Sequence, residues 1–136
     1  MREIKFRGIS KNNNRWVYGF VSIDKNSAKM EGFPHYISRS SGYLPVEVVP
    51  KSVGQYTGLK DKNGVEIYEG DIVSDKYANI YTPIFRNGIY MAYNVEYLHL
   101  TEQEPSTQFN VVWKSGCEII GNIYDNPELL KEEPTC

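Results

Sequence analysis

The sequence contains only two cysteines and two histidines, and this scarcity excludes several kinds of site. Cys117 and Cys136 are too few for a disulfide framework and have no metal-ligand spacing, so we expect two free thiols. His35 and His99 have no histidine, cysteine or carboxylate partner at a ligand spacing, which argues against a metal site. Because the chain also lacks a nucleophile elbow and a phosphate-binding glycine loop, we expect no cofactor.

Long hydrophobic runs are absent as well. No stretch approaches the roughly 20 apolar residues that a membrane helix requires. The N-terminus has no apolar segment of the signal-peptide type. We therefore expect a soluble, cytoplasmic protein that does not enter a membrane.

Residues that favour helices are also few, because alanine and leucine are scarce whereas the 136 residues include eleven tyrosines and five phenylalanines. This balance favours strands. We predict a mainly β fold, of the β-rich α+β kind, in two parts. Residues 1–50 are expected to form an N-terminal β-hairpin region with a long loop, and residues 51–136 a small SH3-like barrel with a short C-terminal helix.

The N-terminal part begins with two segments of alternating apolar and polar residues, 3–9 and 16–23, joined by the polar turn 11–15. Alternation of this kind is typical of half-buried strands, so the pair predicts a hairpin. We expect Phe6 to pack against Trp16 or Tyr18 across it.

The next residues are less regular. Residues 24–45 predict a long loop that contains one short strand at 35–37. Residues 43–49 predict another strand, which ends before Pro50 because proline cannot donate to a strand ladder.

The segment 57–73, which we call the central segment, carries the strongest turn signals. Asn63-Gly64 predicts a tight hairpin in which both residues have positive φ. Glu69-Gly70-Asp71 interrupts the following apolar residues and predicts a sharp bend before the next strand. The structural turn residues are therefore Asn63, Gly64, Gly70 and Asp71.

Beyond the central segment the sequence predicts more strands and one helix. Asn87-Gly88 is a second hairpin signal. The expected strands are 89–100, 108–113 and 118–124, with a loop at 101–107. Asp125 or Asn126 and Pro127 predict the start of a short helix, whose Leu129 and Leu130 would cover an open end of the barrel.

Five strings of residues resemble the YopX family of bacteriophage and prophage proteins: IKFRG at 4–8, WVYG at 16–19, VGQY at 53–56, the central segment, and GNIYDNPELL at 121–130. They occur at both ends and in the middle of the chain, whereas 22–45 and 76–112 carry no resemblance. The resemblance implies a mostly β protein of a phage-type genome, acting in the host cytoplasm, that self-associates. It implies no assigned activity and no catalytic residues.

Charge is distributed unevenly although the net charge is only −2. Residues 1–20 carry five cations and one carboxylate, and residues 97–136 carry two cations and seven carboxylates. In a homo-oligomer this split would favour head-to-tail contact, and in a monomer it would favour packing of the two termini. Ordinary solvated charge without a partner is the third interpretation.

A basic and aromatic set in the N-terminal hairpin is the candidate contact surface. Cations beside aromatic rings suit single-stranded nucleic acid, although the acidic balance of the whole chain opposes phosphate binding. The alternative is that the cations contact other subunits. The set comprises Arg2, Lys5, Arg7, Lys11, Arg15, Trp16 and Tyr18.

Three function classes remain. The preferred hypothesis is a non-enzymatic, self-assembling protein with an adaptor or assembly role and an unidentified protein partner. The second is a nucleic-acid-binding regulator that uses the basic hairpin. The third is a hydrolytic enzyme that uses Glu66, Glu69 or Asp71, although a hairpin with outward-facing charges would give the same carboxylate cluster.

Overall fold

The computed structural model describes residues 3–30, 32–39, 44–95 and 105–130, and its strands all pair antiparallel. The predicted mainly β class is confirmed. The chain divides into two compact units, Met1–Tyr56 and Thr57–Cys136. The strands are β1 Phe6–Ile9, β2 Trp16–Ile23, β3 His35–Ser38, β4 Val46–Val48, β5 Gly54–Lys60, β6 Glu66–Tyr68, β7 Asp71–Asp75, β8 Ile80–Arg86, β9 Ile89–Asn94, β10 Thr107–Gln108 and β11 Cys117–Asn122, and the one α-helix of the described residues is α1, Phe109–Lys114.

The first unit is built on the predicted hairpin of β1 and β2, to which β3 and β4 add in sequence order. Strand β4 then returns to the end of β1. Ser10 bridges Val48, and the N–H of Val49 donates to the carbonyl of Ile9 at 2.8 Å. The four strands therefore curl around a small core.

The register of the hairpin corrects one predicted contact. Phe6 lies opposite Gly19, and Arg7 lies opposite Tyr18. Since paired residues of antiparallel strands point to the same face, Phe6 and Tyr18 lie on opposite faces. Phe6 packs instead against the buried core of Val17, Ile37 and Val48, so its predicted contact with Trp16 or Tyr18 was wrong.

The second unit contains a five-stranded sheet with the order β10-β9-β8-β7-β11. Its two outer strands, β10 and β11, do not pair with each other in the described residues. The sheet is therefore open, and the predicted closure into an SH3-like barrel is not found. Its core includes Ile67, Val73 and Cys117, packed with Phe109 and Val112 of α1.

The predicted strand at 108–113 was wrong, because only Thr107–Gln108 is extended and α1 follows directly. Phe109 and Val112, which are three residues apart, are the buried residues of this helix. Residues at that spacing share one face of a helix, so six residues suffice to cover the sheet. Tertiary packing thus overrides the strand preference of the two valines.

Both predicted hairpin turns occur, but they differ in backbone geometry. Asn87 and Gly88 have φ of 55° and 89°, as the two-residue turn requires. At Asn63-Gly64 only Gly64 has positive φ, 83°, and its N–H donates to the carbonyl of Asp61 at 3.0 Å. This three-residue loop ends in a glycine bulge, so the reversal is confirmed and its expected type is not.

The predicted short C-terminal helix is a single 3₁₀ turn at Pro127–Leu129. Proline occupies its first turn as expected, but no side chain caps it. Asn126 instead accepts a hydrogen bond from the N–H of Asn122 at 3.1 Å. Because the sheet is open, Leu129 and Leu130 have no barrel end to cover.

Two other predictions concern residues only partly described. The strand predicted at 89–100 ends at Asn94 in the structure. Residues 96–104, which include His99 and most of the predicted loop 101–107, lie outside the described residues, as do Tyr43, Arg2 and Cys136.

Candidate interaction surface

Three aromatic residues at alternate positions of β2, Trp16, Tyr18 and Phe20, form what we call the β2 aromatic face. The intervening Val17 is buried in the core. The side chains of Tyr18 and Phe20 are 47% and 61% exposed. Since burying a large aromatic side chain stabilises a contact by several times the thermal energy, two such side chains left in water are candidates for an interface.

Gly19 allows β2 to approach β3 closely behind this face. A Cβ atom at Gly19 would lie 2.2 Å from the carbonyl oxygen of Ser38, far inside van der Waals contact. Only glycine fits at this position, and its φ is +154°. The glycine therefore keeps β2 paired with β3 and holds Phe20 in place opposite Ser38.

Arg7, a predicted contact residue, is almost fully buried, with 5% of its surface exposed. Its guanidinium carbon lies 4.2 Å from the centre of the Trp16 ring, in a cation–π arrangement. Arginine stacks well on aromatic faces because its guanidinium is planar and weakly hydrated. Arg7 thus supports Trp16 from within the fold and is not a surface cation.

Two other cations of the predicted set, Lys5 and Arg15, have different surroundings. The Nζ of Lys5 is 3.5 Å from a carboxylate oxygen of Glu3 and 5.3 Å from the ring centre of Tyr56. Arg15 is exposed on the turn after β1. Arg2 lies outside the described residues, so the structure does not place it.

Lys11, the fifth cation of the predicted set, shares a carboxylate with a residue that the prediction did not include. Its Nζ lies 3.3 Å from Glu47, and the Nζ of Lys29 lies 3.0 Å from the same oxygen. Hydrogen bonds from Lys29 and then Lys11 hold the pKa of Glu47 below its usual range. One half-buried carboxylate therefore balances two of the lysines on this unit.

The charge asymmetry is larger when the charges are counted for each of the two units. Residues 1–56 carry nine cations and four carboxylates, a net charge of +5, whereas residues 57–136 carry six cations and thirteen carboxylates, a net charge of −7. The β2 aromatic face thus belongs to a basic unit, and the rest of the chain forms an acidic one. Opposite net charges attract over about a Debye length, roughly 8–10 Å at moderate salt.

The carboxylate cluster proposed for hydrolysis takes part in backbone hydrogen bonds. Asp71 accepts the N–H of Tyr68 at 2.8 Å, within the predicted bend at Gly70. Glu69 accepts the N–H of Phe85 at 3.0 Å. Asp71 thus stabilises the bend within the central segment, and Glu69 connects this segment to β8. Both carboxylates therefore have a structural role.

Asp61 is the residue of the central segment that sequence reasoning missed. It is 7% exposed, and its carboxylate accepts three backbone N–H groups, those of Asn63 at 2.8 Å, Val65 at 2.9 Å and Ile119 at 3.0 Å. Burial alone would raise its pKa, but the bonds from Ile119, Val65 and Asn63 outweigh burial and lower the pKa. The detectable signal was an aspartate two residues before Asn63-Gly64, a spacing typical of aspartate-capped turns.

Cys117, predicted as a free thiol, is free and buried. Burial and then the nearby charge of Asp61 raise its pKa to about 11, so the thiol stays protonated at neutral pH. His35 lies 2.8 Å from the carbonyl of Phe33 through Nδ1. Across the described ranges no three histidine, cysteine or acidic residues cluster as metal ligands would.

In the part of the chain that the structure describes, no helix has the length and apolarity to span a bilayer.

Comparison with known proteins shows similarity to a protein family and to a solved structure. A family model described as YopX protein matches residues 5–131. The crystal structure of protein EF1440 from Enterococcus faecalis is 28% identical and covers 96% of this chain and 100% of its own, with a TM-score of 0.53. None of the curated proteins matches significantly.

Proposed function

This chain belongs to the YopX protein family, and we propose that it works without catalysis, by self-association and by contact with an unidentified protein. The proposal includes a phage or prophage origin and a place in the host cytoplasm. It assigns an adaptor or assembly role, in which the protein joins copies of itself and a partner.

The single observation that carries the proposal is the opposite charge of the two units, +5 and −7. A basic unit of one copy and an acidic unit of the next form a complementary pair. Contact between two different surfaces is heterologous, so it adds subunits head to tail. The basic unit of one copy therefore binds the acidic unit of a second copy of this chain.

The β2 aromatic face supplies the apolar part of the proposed contact. Interfaces are enriched in aromatic side chains at their centres, and charge at the rim mainly steers association and sets its salt dependence. Tyr18 and Phe20 meet the first requirement, and Arg15, directly before the strand, meets the second. The use of Glu69 and Asp71 as backbone acceptors supports the absence of a catalytic role.

Tyr18→Ser combined with Phe20→Ser is expected to weaken self-association by at least about tenfold, because truncating an aromatic side chain at the centre of an interface costs about 1–2 kcal/mol or more. Because Tyr18 and Phe20 are 47% and 61% exposed, the free energy of unfolding should change less than it would at a buried position. Sedimentation velocity over the micromolar range at low salt measures the association constant.

Leu44→Ser is the matched control for that variant. Leu44 is an 87% exposed apolar residue of the same unit that lies outside β2. We expect it to associate as the unaltered protein does. Equal association by the double variant and the unaltered protein would contradict a contact through the β2 aromatic face.

Single-stranded nucleic acid is the second candidate, favoured by the exposure of Tyr18 and Phe20 on a basic unit. Bases stack on exposed aromatic rings, and cations around the rings neutralise phosphates. Fluorescence anisotropy with labelled single-stranded DNA and RNA at low salt tests it. Binding that Tyr18→Ser with Phe20→Ser abolishes would assign the face to nucleic acid, and no binding at tens of micromolar protein removes this candidate.

A further inference from the structure

We propose that the second unit contains a binding site for a small phosphate monoester, in a cavity beside the C-terminal end of α1. The cavity measures about 320 Å³ and is lined by Lys60, Asp61, Lys62, Trp113, Lys114, Gly116 and Cys117. Small-molecule sites begin at about this volume. The proposed site consists of residues of the second unit alone, and it does not rest on the β2 aromatic face or on the proposed self-association.

The charge around this cavity is opposite to the charge of its unit. Residues 57–136 carry a net charge of −7 with only six cations, yet three of those cations, Lys60, Lys62 and Lys114, line one cavity. Their one charged competitor in the lining is Asp61. With Glu118, which pairs with Lys62, counted as well, the local net charge is +1, and a positive charge within an acidic unit attracts anions.

The negative groups near the cavity are already engaged. Asp61 directs both carboxylate oxygens to backbone N–H groups, including that of Ile119 at 3.0 Å. The thiol of Cys117, with its pKa raised to about 11, carries no charge at neutral pH. An anion in the cavity therefore meets neither a free carboxylate of Asp61 nor a thiolate, and it competes with Glu118 for Lys62.

At the end of α1, two of the carbonyl groups that would repel an anion are engaged by donors. The hydroxyl of Ser115 donates to the carbonyl of Val112 at 2.8 Å, and the N–H of Gly116 donates to the carbonyl of Trp113 at 3.0 Å. Gly116 has a φ of +90°, the left-handed conformation that ends helices in this way.

Two of the three lysines have no carboxylate within ion-pair distance in the described ranges, namely Lys60 and Lys114. Lys62 lies 3.5 Å from Glu118, in an exposed pair that a ligand can replace at small cost. Lysine binds phosphate as a compact point charge. Three lysines around one cavity are thus suited to the two negative charges of a phosphate monoester.

Trp113 explains why the ligand is a monoester and not a bare ion. Its indole N–H donates to the carbonyl of Lys60 at 2.7 Å, which fixes the ring in the wall of the cavity. A fixed aromatic wall contacts the organic part of a ligand, which inorganic phosphate lacks.

Titrations with inorganic phosphate and with phenyl phosphate, followed by backbone amide NMR shifts, test the site. We expect both probes to shift the amides of Gly116 and Cys117, with phenyl phosphate binding about threefold or more tightly because of the ring contact. Equal affinity for the two probes would overturn the assignment to a monoester. No shift of either amide up to about 10 mM probe would overturn the site.

The variant Lys60→Gln with Lys114→Gln is expected to weaken binding of phenyl phosphate by at least about tenfold, since it removes both lysines that have no ion pair. Lys76→Gln is the control, because Lys76 is an exposed lysine of the same unit that does not line this cavity. It should retain the affinity within about twofold. Unchanged binding by the double variant would overturn the role of the lysines and with it the proposal.

Discussion

Asp61→Ala is expected to lower the free energy of unfolding of the second unit by about 3–5 kcal/mol, a large loss for a single substitution. The substitution leaves the N–H groups of Asn63, Val65 and Ile119 without their common acceptor. A hydrogen bond to a charged group contributes about 1.5–3 kcal/mol, and a buried donor that loses its acceptor adds a desolvation cost. Because Ile119 belongs to β11, the loss extends from the turn to the sheet.

The unfolding of each unit can be measured separately, because each contains one of the two tryptophans, Trp16 and Trp113. Urea denaturation followed by Trp113 fluorescence in a Trp16→Phe background reports on the second unit. Asp75→Ala is the matched control, since Asp75 accepts the N–H groups of Tyr77 and Asn79 in the same turn geometry but is only half-buried there. A loss at Asp61 no larger than the loss at Asp75 would contradict the structural role assigned to the buried carboxylate.

The lowered pKa of Asp61 also predicts the direction in which the stability of the second unit changes with pH. A carboxyl group whose pKa is lower in the folded than in the unfolded state stabilises the fold above its unfolded pKa, here an ordinary value of 3.8. That contribution is lost as the pH falls through the folded pKa. The difference in stability between the unaltered protein and Asp61→Ala should therefore be constant from neutral pH down to the ordinary value and should shrink below it.

Gly19→Ala is the second substitution with a large expected effect, about 3 kcal/mol or more on the first unit. The new methyl group would lie 2.2 Å from the carbonyl oxygen of Ser38, and 2.9 Å from its carbonyl carbon. Backbone atoms cannot rotate away as a side chain can, so β2 and β3 must separate. Denaturation followed by Trp16 fluorescence in a Trp113→Phe background measures the loss.

Gly8→Ala provides the comparison for Gly19. Its added methyl group would meet side-chain atoms of Val48 and Ile37 at 3.0–3.1 Å, which can adjust by small movements. We expect a cost of about 1–2 kcal/mol at Gly8, clearly below the cost at Gly19. Similar losses at the two positions would show that β2 and β3 can separate slightly without disrupting their pairing.

The strands with regular alternation could be predicted from the sequence. Residues 16–23 are predicted and observed with the same bounds, because period-2 alternation and the polar turn before them agree. Asn87-Gly88 was equally clear, since its turn type depends on two residues alone. Local chemistry was sufficient in both cases.

Features that depend on distant contacts could not be predicted. The strand preference of the valines in α1 concealed a helix that forms because Phe109 and Val112 cover the sheet. The prediction of a closed barrel was wrong for a similar reason, since strand order depends on pairing between segments far apart in sequence. Asp61 binds Ile119, 58 residues away, and no local pattern contains that information.

The alternation along β2 predicted where its aromatic side chains lie. Trp16 and Tyr18 lie on the β2 aromatic face as the alternation indicates, but Phe20 belongs with them and is absent from the predicted set. The charge of Arg7 suggested a place in solvent, whereas the structure buries it against Trp16. Residue type alone does not distinguish a cation that stacks within the fold from one that meets a ligand.

Multi-angle light scattering of the unaltered protein at two salt concentrations tests the proposed head-to-tail association most directly. At about 50 mM salt we expect a mass of two or more times the 15.6 kDa of one chain, and at about 500 mM salt a fall toward 15.6 kDa as the charges of the two units are screened. A mass of 15.6 kDa at both concentrations over the micromolar range would contradict self-association. A larger mass that does not change with salt would contradict its electrostatic origin.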